Sequence, residues 1–257
     1  MHSSLDLTGR VAVVVGGTSG LGRAMALGLA EAGADVVSTG RRENLVREVS
    51  ASIEATGRRS LAVTTDVSRR ESIDQTRDAV LDKFGAVHIV IYAAGAVVRK
   101  PVVNLSEEEW DSTFDTNVTG ALRTGQAFYE PLLASGSGRL IHIVSLNSFV
   151  SLRDVGAYAA AKAALLALTR SLAIEWATSG VCVNAIAPGV FLTDLNRKIL
   201  EETERGRELL MRTPMKRFGY AEELVGAAVL LASKAASFIT GQCITVDGGF
   251  MASGVNT

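Results

Sequence analysis

The chain has few of the residues that build disulfide frameworks and metal sites. Cys182 and Cys243 are the only cysteines among 257 residues, and both lie in apolar, strand-like runs. Proteins held together by disulfides carry more cysteines than this, so we expect two buried free thiols in a reducing compartment. The sequence has three scattered histidines and no C-x-x-C pair, which argues against a zinc site, and we predict no bound metal.

Charge and hydropathy argue against two classes of partner. The formal net charge is -1 and no basic block is present, so nucleic acid is not expected as a partner. No apolar run reaches the roughly 20 residues that span a bilayer, and the first residues lack the apolar core of a secretory signal. We therefore expect a cytoplasmic protein that acts on a small molecule and has no membrane segment.

Apolar runs of strand type alternate with longer helical stretches along the whole chain. The predicted strands are 11–15, 35–39, 60–65, 87–92, 140–145, 181–187 and 243–246. The predicted helices are 21–32, 43–55, 69–84, 158–178, 221–233 and a long helix that begins after Ser106 with a capping box, S-E-E-E. Apolar strands that each precede a helix are typical of a parallel sheet with helices on both faces, which right-handed crossovers make doubly wound.

No Pro/Ser linker, low-complexity run or internal repeat divides the chain. We therefore predict one α/β domain over residues 1–257, with a parallel sheet of about seven strands. The charged stretch 194–213 lies between two elements and is interpreted as part of an insertion at about 190–215, which would cover a substrate pocket.

A glycine-rich turn, V-G-G-T-S-G-L-G, stands between the first predicted strand and the first predicted helix. Gly16, Gly20 and Gly22 permit a tight turn and bring the backbone close to a pyrophosphate at the helix N-terminus. Thr18 and Ser19 add hydroxyls that can reach phosphate oxygens. Such a cluster can also be an ordinary strand–helix turn, but its place after a buried N-terminal strand favours a dinucleotide site in a Rossmann fold.

The end of the second predicted strand bears on which nicotinamide is bound. A site for NAD places a carboxylate there for the ribose 2′-hydroxyl, but this strand ends V-V-S-T-G-R-R, without an acid. The guanidinium groups of Arg41 and Arg42 match a 2′-phosphate, so we predict NADP rather than NAD. A solvated arginine pair is the alternative, although positive charge is unfavourable at a helix start. Asp66, after the third predicted strand, is either an acceptor for the adenine amino group or a cap of the next helix.

Four side chains supply the equipment for moving a proton to or from an alcohol oxygen. Tyr158 and Lys162 stand four residues apart on one predicted helix, so the ammonium, beside an oxidised nicotinamide, should lower the pKa of the phenol. Ser145 ends a strand, where open parallel sheets bind ligands, and its hydroxyl could orient a carbonyl. Asn117 is a poor helix former within a long helix and suits a water relay facing the site. Taken singly, each residue could equally be a helix-face pair, a strand cap or an exposed asparagine.

Together these motifs resemble the short-chain dehydrogenase/reductases over essentially the whole chain. The resemblance is carried by the glycine-rich turn, A-A-G at 93–95, N-V-T-G at 117–120, Ser145, the Y-x-x-x-K pair, and P-G at 188–189 followed by Thr193. It implies a catalytic set of Asn117, Ser145, Tyr158 and Lys162, and a homotetramer built on the two long helices. It also implies a set of cofactor contacts: Gly16, Thr18, Ser19, Gly20, Leu21, Gly22, Arg41, Arg42, Asp66, Val67, Ala94, Gly95, Tyr158, Lys162, Pro188, Gly189, Val190 and Thr193.

Two positions depart from the pattern of that family. Val15 stands where threonine is common before the first glycine, and Tyr92–Ala93 stand where two asparagines are common. The missing side-chain hydrogen bonds bear on the bracing of the sheet and on adenosine contacts rather than on the chemistry.

Within the family, A-A-G-A-V-V-R-K-P, T-P-M-K-R-F-G and D-G-G-F-M-A-S-G look like gluconate 5-dehydrogenases and related reductases of keto sugar acids. Arg99 and Arg153 could hold a substrate carboxylate, with Asn147, Ser145 and Tyr158 completing a substrate site, although two solvated loop arginines are equally compatible. The expected activity is hydride transfer between NADP and a secondary alcohol or ketone such as 5-ketogluconate. A 3-oxoacyl thioester reductase is the alternative enzyme, and a non-catalytic dinucleotide-binding sensor or scaffold is the alternative of another class.

Overall fold

The structure is a computed structural model that describes residues 3–193, 200 and 202–254. In this part of the chain six strands form one sheet: β1 (Val11–Val15), β2 (Asp35–Thr39), β3 (Ile89–Tyr92), β4 (Arg139–Ile143), β5 (Cys182–Pro188) and β6 (Cys243–Val246). All neighbouring pairs are parallel, and the strand order is β2-β1-β3-β4-β5-β6. The predicted doubly wound Rossmann fold is confirmed.

Helices cover both faces of this sheet. They are α1 (Gly20–Glu31), α2 (Glu43–Glu54), α3 (Arg70–Phe84), α4 (Glu107–Phe114), α5 (Gly120–Ala134), α6 (Gly156–Trp176), α7 (Glu204–Arg212) and α8 (Val225–Ala232). Successive strand residues point to opposite faces, so Val13 packs with α3, α5 and α6 while Val14 packs with α1, α2 and α8. Both faces of β1, β3 and β4 are therefore buried, which explains the unbroken apolar runs in the sequence.

The predicted strand at 60–65 is wrong, and its loss reduces the sheet from seven strands to six. Main-chain hydrogen bonds join this segment to the edge of β2 only near its two ends. Val36 N–H donates to Arg59 O and Thr65 N–H donates to Gly40 O, each at 3.0 Å. Between them, the Thr39 hydroxyl donates to Val63 O at 2.7 Å. A side chain thus replaces main-chain pairing in the middle, and only a single bridge, Gly40 with Thr64, remains.

The reversal of strand order between β1 and β3 creates a crevice at the carboxyl ends of the strands. The chain runs from β1 outward to β2 and then crosses back to place β3 on the other side of β1. The turn after β1 and the segment after β3 therefore lie side by side at the carboxyl edge of the sheet. Ligands of open α/β sheets bind at such a point. The sheet topology by itself places the glycine-rich turn opposite A-A-G at 93–95.

One helix is long and apolar enough to resemble a membrane span, although no apolar run in the sequence indicated one. The segment Gly156–Ser179, which is α6 with the turn after it, is 24 residues long with a mean hydropathy of 1.3, so by length and composition alone it could cross a membrane. In the fold it packs against β5, and Leu165, Leu172 and Trp176 lie in the core while Lys162 enters the crevice. Its apolar character is explained by this central packing.

The two cysteines are free thiols, as expected, but they are half-buried rather than fully buried. Cys182 and Cys243 begin neighbouring strands, β5 and β6. Burial raises the pKa of the Cys243 thiol to about 11, so at neutral pH it is not a reactive thiolate.

Candidate active site

A cleft of about 950 Å³ opens at the carboxyl ends of β1, β3, β4 and β5. This volume is at the upper end of the range usual for small-molecule sites. Every predicted cofactor residue lines it: Gly16, Thr18, Ser19, Gly20, Leu21, Gly22, Arg41, Arg42, Asp66, Val67, Ala94, Gly95, Tyr158, Lys162, Pro188, Gly189, Val190 and Thr193. The fold therefore gathers residues from the whole length of the chain into one surface.

The glycine-rich turn is shaped so that only glycine fits at two positions. Gly16 has a φ of +82°, and a Cβ there would lie 2.6 Å from Ala94 Cα. A Cβ on Gly22 would overlap the carbonyl oxygen of Gly16. Ser19 is the N-cap of α1, but its hydroxyl makes no cap and instead accepts a hydrogen bond from Arg42 at 3.1 Å. The first-turn N–H groups of α1 thus face the cleft without a side-chain acceptor, which suits a phosphate.

The far end of the cleft carries two exposed arginines beyond β2. Arg41 and Arg42 both line it, and β2 is followed by Gly40 rather than by an acid. Asp66 also lines the cleft, and its Oδ1 accepts from Ser68 N at 3.0 Å and from the Ser68 hydroxyl at 2.7 Å. These hydrogen bonds, led by that of the Ser68 hydroxyl and helped by the charge of Arg41, lower the pKa of Asp66. The carboxylate braces the turn before α3 while it lines the cleft. The N-cap of α3 is Arg69, with no side-chain cap, so the alternative of a helix cap at Asp66 is wrong, and the adenine contact stays a prediction.

Asn117 lies in a widened turn that interrupts the predicted long helix. Residues Asp115–Thr119 form one π-helical turn between α4 and α5. The Asn117 side chain has no exposed surface, and its Nδ2 donates to Ala96 O and Thr113 O, both at 2.8 Å. Its Oδ1 has no hydrogen-bond partner among the described residues and is directed at Gly95, where an added Cβ would lie 3.1 Å away. The alternative of an exposed asparagine is therefore excluded.

Ser145 and Tyr158 meet over the end of β4. Ser145 follows the strand as the N-cap of a short 3-10 turn, where its hydroxyl accepts from Asn147 N at 3.2 Å. The Ser145 hydroxyl lies near the Tyr158 phenol and acts to lower its pKa, against the larger effect of burial. The phenol comes from the first turn of α6, so the strand end and the helix start together fix the pair.

Lys162 occupies the floor of the cleft one turn further along α6. Its side chain is 3% exposed, and its Nζ donates to Ile143 O at 2.8 Å and lies 5.6 Å from the centroid of the Tyr158 ring. Burial lowers the pKa of Lys162 to about 7, so this amine is only partly charged near neutrality.

The predicted lowering of the Tyr158 pKa by Lys162 is wrong for the protein alone. Burial raises the pKa of Tyr158, and the groups that oppose the rise are the Ser145 hydroxyl and the charge of Arg99. Lys162 has lost much of its charge to the same burial, so it contributes little. The predicted lowering also depended on the positive charge of an oxidised nicotinamide beside Tyr158, and the protein by itself does not supply that charge.

The predicted substrate residues divide into two groups. Ser145, Asn147, Arg99 and Tyr158 all line the cleft. Arg153 does not: its side chain is 91% exposed and its guanidinium lies 3.9 Å from Asp154. The prediction of a substrate contact by the Arg153 side chain is therefore not supported.

Sequence reasoning missed an arginine that lines the cleft near Arg99. Arg205 on α7 lines the cleft and donates from Nη1 to Arg153 O at 2.9 Å. Its charge, after burial, lowers the pKa of Arg99, so the two guanidinium groups approach one another. Leu200 and Leu209 line the same wall. Nothing in the local sequence marks these residues, because only folding of the segment after β5 brings α7 over the cleft. Positions 194–199 and 201 of the predicted insertion lie outside the described residues.

Comparisons with known proteins agree with this geometry. A family model described as enoyl-(acyl carrier protein) reductase matches residues 15–251. The 2-dehydro-3-deoxy-D-gluconate 5-dehydrogenase of Escherichia coli (strain K12) is 37% identical over 253 residues, which are 97% of this chain and 98% of that protein. The gluconate 5-dehydrogenase of Gluconobacter oxydans (strain 621H) is 35% identical over 96% of this chain and 97% of its own length.

A solved structure carries ligands in the same fold. The crystal structure of a gluconate 5-dehydrogenase from Burkholderia cenocepacia J2315 in complex with NADP and tartrate superposes with a TM-score of 0.92 at 33% identity, covering 98% of each chain. Full-length similarity of this kind, together with a glycine cradle that a Cβ would fill, supports a nicotinamide dinucleotide as cofactor. The chain therefore belongs to the short-chain dehydrogenase/reductase family and is an oxidoreductase acting on CH–OH groups.

Proposed function

We propose that this chain is an NADP-dependent oxidoreductase of keto sugar acids, with 5-ketogluconate as the model substrate. The observation that carries this proposal is the pair of guanidinium groups, Arg99 and Arg205, beside the Tyr158 phenol. Within the described part of the chain neither guanidinium forms an ion pair with a carboxylate. Two uncompensated cations beside a proton donor match a substrate that carries both a carboxylate and a ketone.

The proposed catalytic set acts on the carbonyl oxygen of this substrate. Tyr158 donates the proton in the direction of reduction, which suits a phenol that burial keeps protonated near neutrality. The Ser145 hydroxyl, which lies near that phenol, orients the carbonyl. Tyr158 regains its proton by way of Lys162 on the cleft floor, and the source is a water molecule held by Asn117 Oδ1, which has no partner among the described residues. A bound nicotinamide dinucleotide supplies or accepts the hydride.

The test of substrate class is a comparison of three kinds of carbonyl compound. Purified protein is assayed with NADPH against 5-ketogluconate, an uncharged keto sugar and a 3-oxoacyl thioester, following the loss of reduced coenzyme. We expect kcat/KM to be at least about tenfold higher for the keto acid, since a charge-assisted hydrogen bond contributes roughly 1.5–3 kcal/mol. Faster turnover of the thioester would assign the chain to the alternative reductase class, and no turnover of any ketone would favour a sensor.

Matched arginine variants separate the carboxylate contact from general damage. Arg99→Gln should lower kcat/KM for the keto acid about tenfold or more and leave the uncharged keto sugar nearly unchanged. Arg153→Gln is the control, because its exposed guanidinium lies outside the cleft and only its backbone carbonyl contacts Arg205. Equal losses for both substrates in Arg99→Gln would contradict a carboxylate role.

The preference for NADP over NAD rests on Arg41 and Arg42. Both face the cleft, and the Arg42 guanidinium already reaches the phosphate turn through Ser19. Arg41→Ala should weaken NADPH binding far more than NADH binding, because only NADPH carries the 2′-phosphate. Arg47→Ala removes an exposed arginine that is paired with Glu43 on α2 and serves as the control. Similar losses for the two coenzymes in Arg41→Ala would overturn the preference.

The segment at about 190–215 is proposed to cover the substrate and set specificity. It contributes Arg205 and Leu209 to the cleft wall, one charged and one apolar. Phe191, at the start of the segment, forms a β-bridge with Gly219, which follows its end. The two ends of the segment therefore lie close together. Arg205→Gln should therefore raise KM for the keto acid and leave KM for NADPH unchanged.

A homotetramer in the cytoplasm is the remaining part of the proposal. The outer face of α6 is apolar at Ile174, which is 81% exposed, and such a side chain is suited to burial against a second copy. The free thiols fit a reducing compartment. Light scattering should give four times the chain mass, and Ile174→Glu should reduce it; a monomeric wild-type protein would end this part of the proposal.

A further inference from the structure

Tyr92 stands at the end of β3, where the family commonly has an asparagine, and its side chain is fully buried. The phenol donates a hydrogen bond to the main-chain carbonyl of Thr116. Thr116 belongs to the π-helical turn Asp115–Thr119 that carries Asn117. The phenol thus connects the end of a sheet strand to the widened turn directly beneath the cleft.

The turn is built around this phenol. Gly120 closes the π-helical turn by donating its N–H to Asp115 O. A Cβ on Gly120 would overlap the Tyr92 hydroxyl oxygen, so the phenol occupies the space that any other residue at 120 would need. Widened turns of this kind remove main-chain groups from the regular helical pattern, and they recur at functional sites. The hydroxyl supplies a partner for one such group from the sheet side.

The phenol is held in its donor form. Burial and the nearby charge of Asp115 both raise the pKa of Tyr92, while Arg123 opposes the rise. Asp115 and Arg123 are themselves paired at 2.7 Å, so the charge beside the phenol is fixed. Both burial and the charge of Asp115 favour the protonated phenol, which is the form that donates to Thr116 O.

Asn117 depends on the path of the same turn. Both hydrogens of its Nδ2 are used by the carbonyls of Ala96 and Thr113, so the amide plane is set by main-chain atoms on either side of the turn. Its Oδ1 is then the atom left to face Gly95, which lines the cleft, while Asn117 itself lies behind that lining. A relaxed turn would move this oxygen, and displacements of about 1 Å in an active site can reduce the rate severely.

We propose that Tyr92 is a positioning residue whose hydroxyl holds the π-helical turn open and thereby keeps Asn117 Oδ1 directed at Gly95, which lines the cleft. The proposal rests on the proposed function for its kinetic readout. The competing view is that the hydroxyl only adds stability to the core.

The kinetic test compares two buried or half-buried phenols. Tyr92→Phe removes only the hydroxyl and should lower kcat about tenfold, with KM for ketone and NADPH nearly unchanged. The control is Tyr129→Phe. Tyr129 lies on α5, away from the cleft, and its hydroxyl is 3.0 Å from the Oγ of Ser179, in the turn after α6. In an Asn117→Ala background, Tyr92→Phe should cause no further loss of kcat. An equal further loss in that background would overturn the proposal, since the hydroxyl would then act independently of Asn117.

A second variant displaces the phenol without removing it. Gly120→Ala places a methyl group against the Tyr92 hydroxyl and should also lower kcat. In the Tyr92→Phe background the same change should have a smaller effect, because the atom that it displaces is gone. Effects that simply multiply would contradict the proposed contact.

Amide hydrogen exchange provides a readout that does not depend on turnover. Tyr92→Phe should speed exchange selectively in the turn 115–121, while Tyr129→Phe should not. If the wild-type protein reduces none of the ketones, the proposed function fails, but the exchange result still decides whether the phenol holds the turn. Unchanged exchange at 115–121 in a folded Tyr92→Phe protein would overturn the proposal, whatever the activity.

Discussion

Replacement of His142 by glutamine should remove an acid-sensitive element of the core. His142 on β4 has no exposed surface, and its Nδ1 lies 2.9 Å from Thr169 Oγ1, while its Nε2 has no partner among the described residues. Burial, helped by the charge of Lys162, lowers the pKa of His142 to about 3. Glutamine keeps a polar group for Thr169 but does not titrate, so the variant isolates the contribution of the imidazole.

The size of the effect follows from proton linkage. An unfolded histidine has a pKa of about 6.5, so between pH 6.5 and 3 the unfolded chain binds a proton that the folded protein refuses. Stability is therefore lost as the pH falls below about 6.5, with a limiting slope of roughly 1.4 kcal/mol per pH unit. Between pH 8 and pH 5 the loss is about 2 kcal/mol. This figure requires only that the folded pKa lie well below 5.

Urea unfolding at pH 8 and pH 5, followed by the fluorescence of the core residue Trp176, measures this difference. His142→Gln should be less stable than wild type at pH 8, because the new side chain packs imperfectly, and the gap should close by about 2 kcal/mol at pH 5. His88→Gln should show a smaller change, since His88 is only half-buried and its pKa, lowered by burial and by Arg10, is less perturbed. A gap for His142→Gln that is the same at both pH values would refute the buried, neutral imidazole.

Three further predictions concern the cofactor turn, the proton donor and a helix cap. Tyr158→Phe should abolish ketone reduction while NADPH still binds by fluorescence titration; wild-type turnover in this variant would remove the proposed proton donor. Gly22→Ala should weaken NADPH binding at least about tenfold, because the new methyl group would overlap the Gly16 carbonyl, and an unchanged Kd would contradict that close approach. Ser106→Ala removes the hydroxyl that accepts from Glu109 N–H in the capping box and should lower the free energy of unfolding by about 1 kcal/mol; no change in urea midpoint would exclude a stabilising cap.

The local patterns predicted secondary structure well wherever burial was complete. The unbroken apolar run at Val11–Val15 became a strand with both faces in the core, and the capping box at Ser106 began α4 as expected. The segment 60–65 has the same strand-like appearance, but it lies at the sheet edge, where Thr39 replaces a main-chain hydrogen-bond partner. Sequence periodicity does not distinguish a paired edge strand from an extended segment beside the sheet.

The sequence predicted which residues lie in the cleft better than it predicted their pKa values. Residue types and spacing were enough to place Ser145, Tyr158 and Lys162 in one cleft. In the protein without coenzyme the pKa of Tyr158 is raised rather than lowered, because helical spacing indicates that two groups are neighbours but not how deeply each is buried. In the folded protein burial outweighs the charge of a lysine that burial has itself partly neutralised.

The amino-acid sequence by itself determined the α/β alternation, the glycine turn and the chemistry of the proton-transfer residues, since these depend on composition and on spacing along one element. The tertiary structure alone decided three matters: that Arg205 rather than Arg153 joins Arg99 in the cleft, that Tyr92 reaches Thr116, and that Lys162 is stripped of water. Each of these joins residues on different elements or depends on depth in the core. The physical reason is that contact between distant segments and exclusion of solvent exist only once the layers have packed.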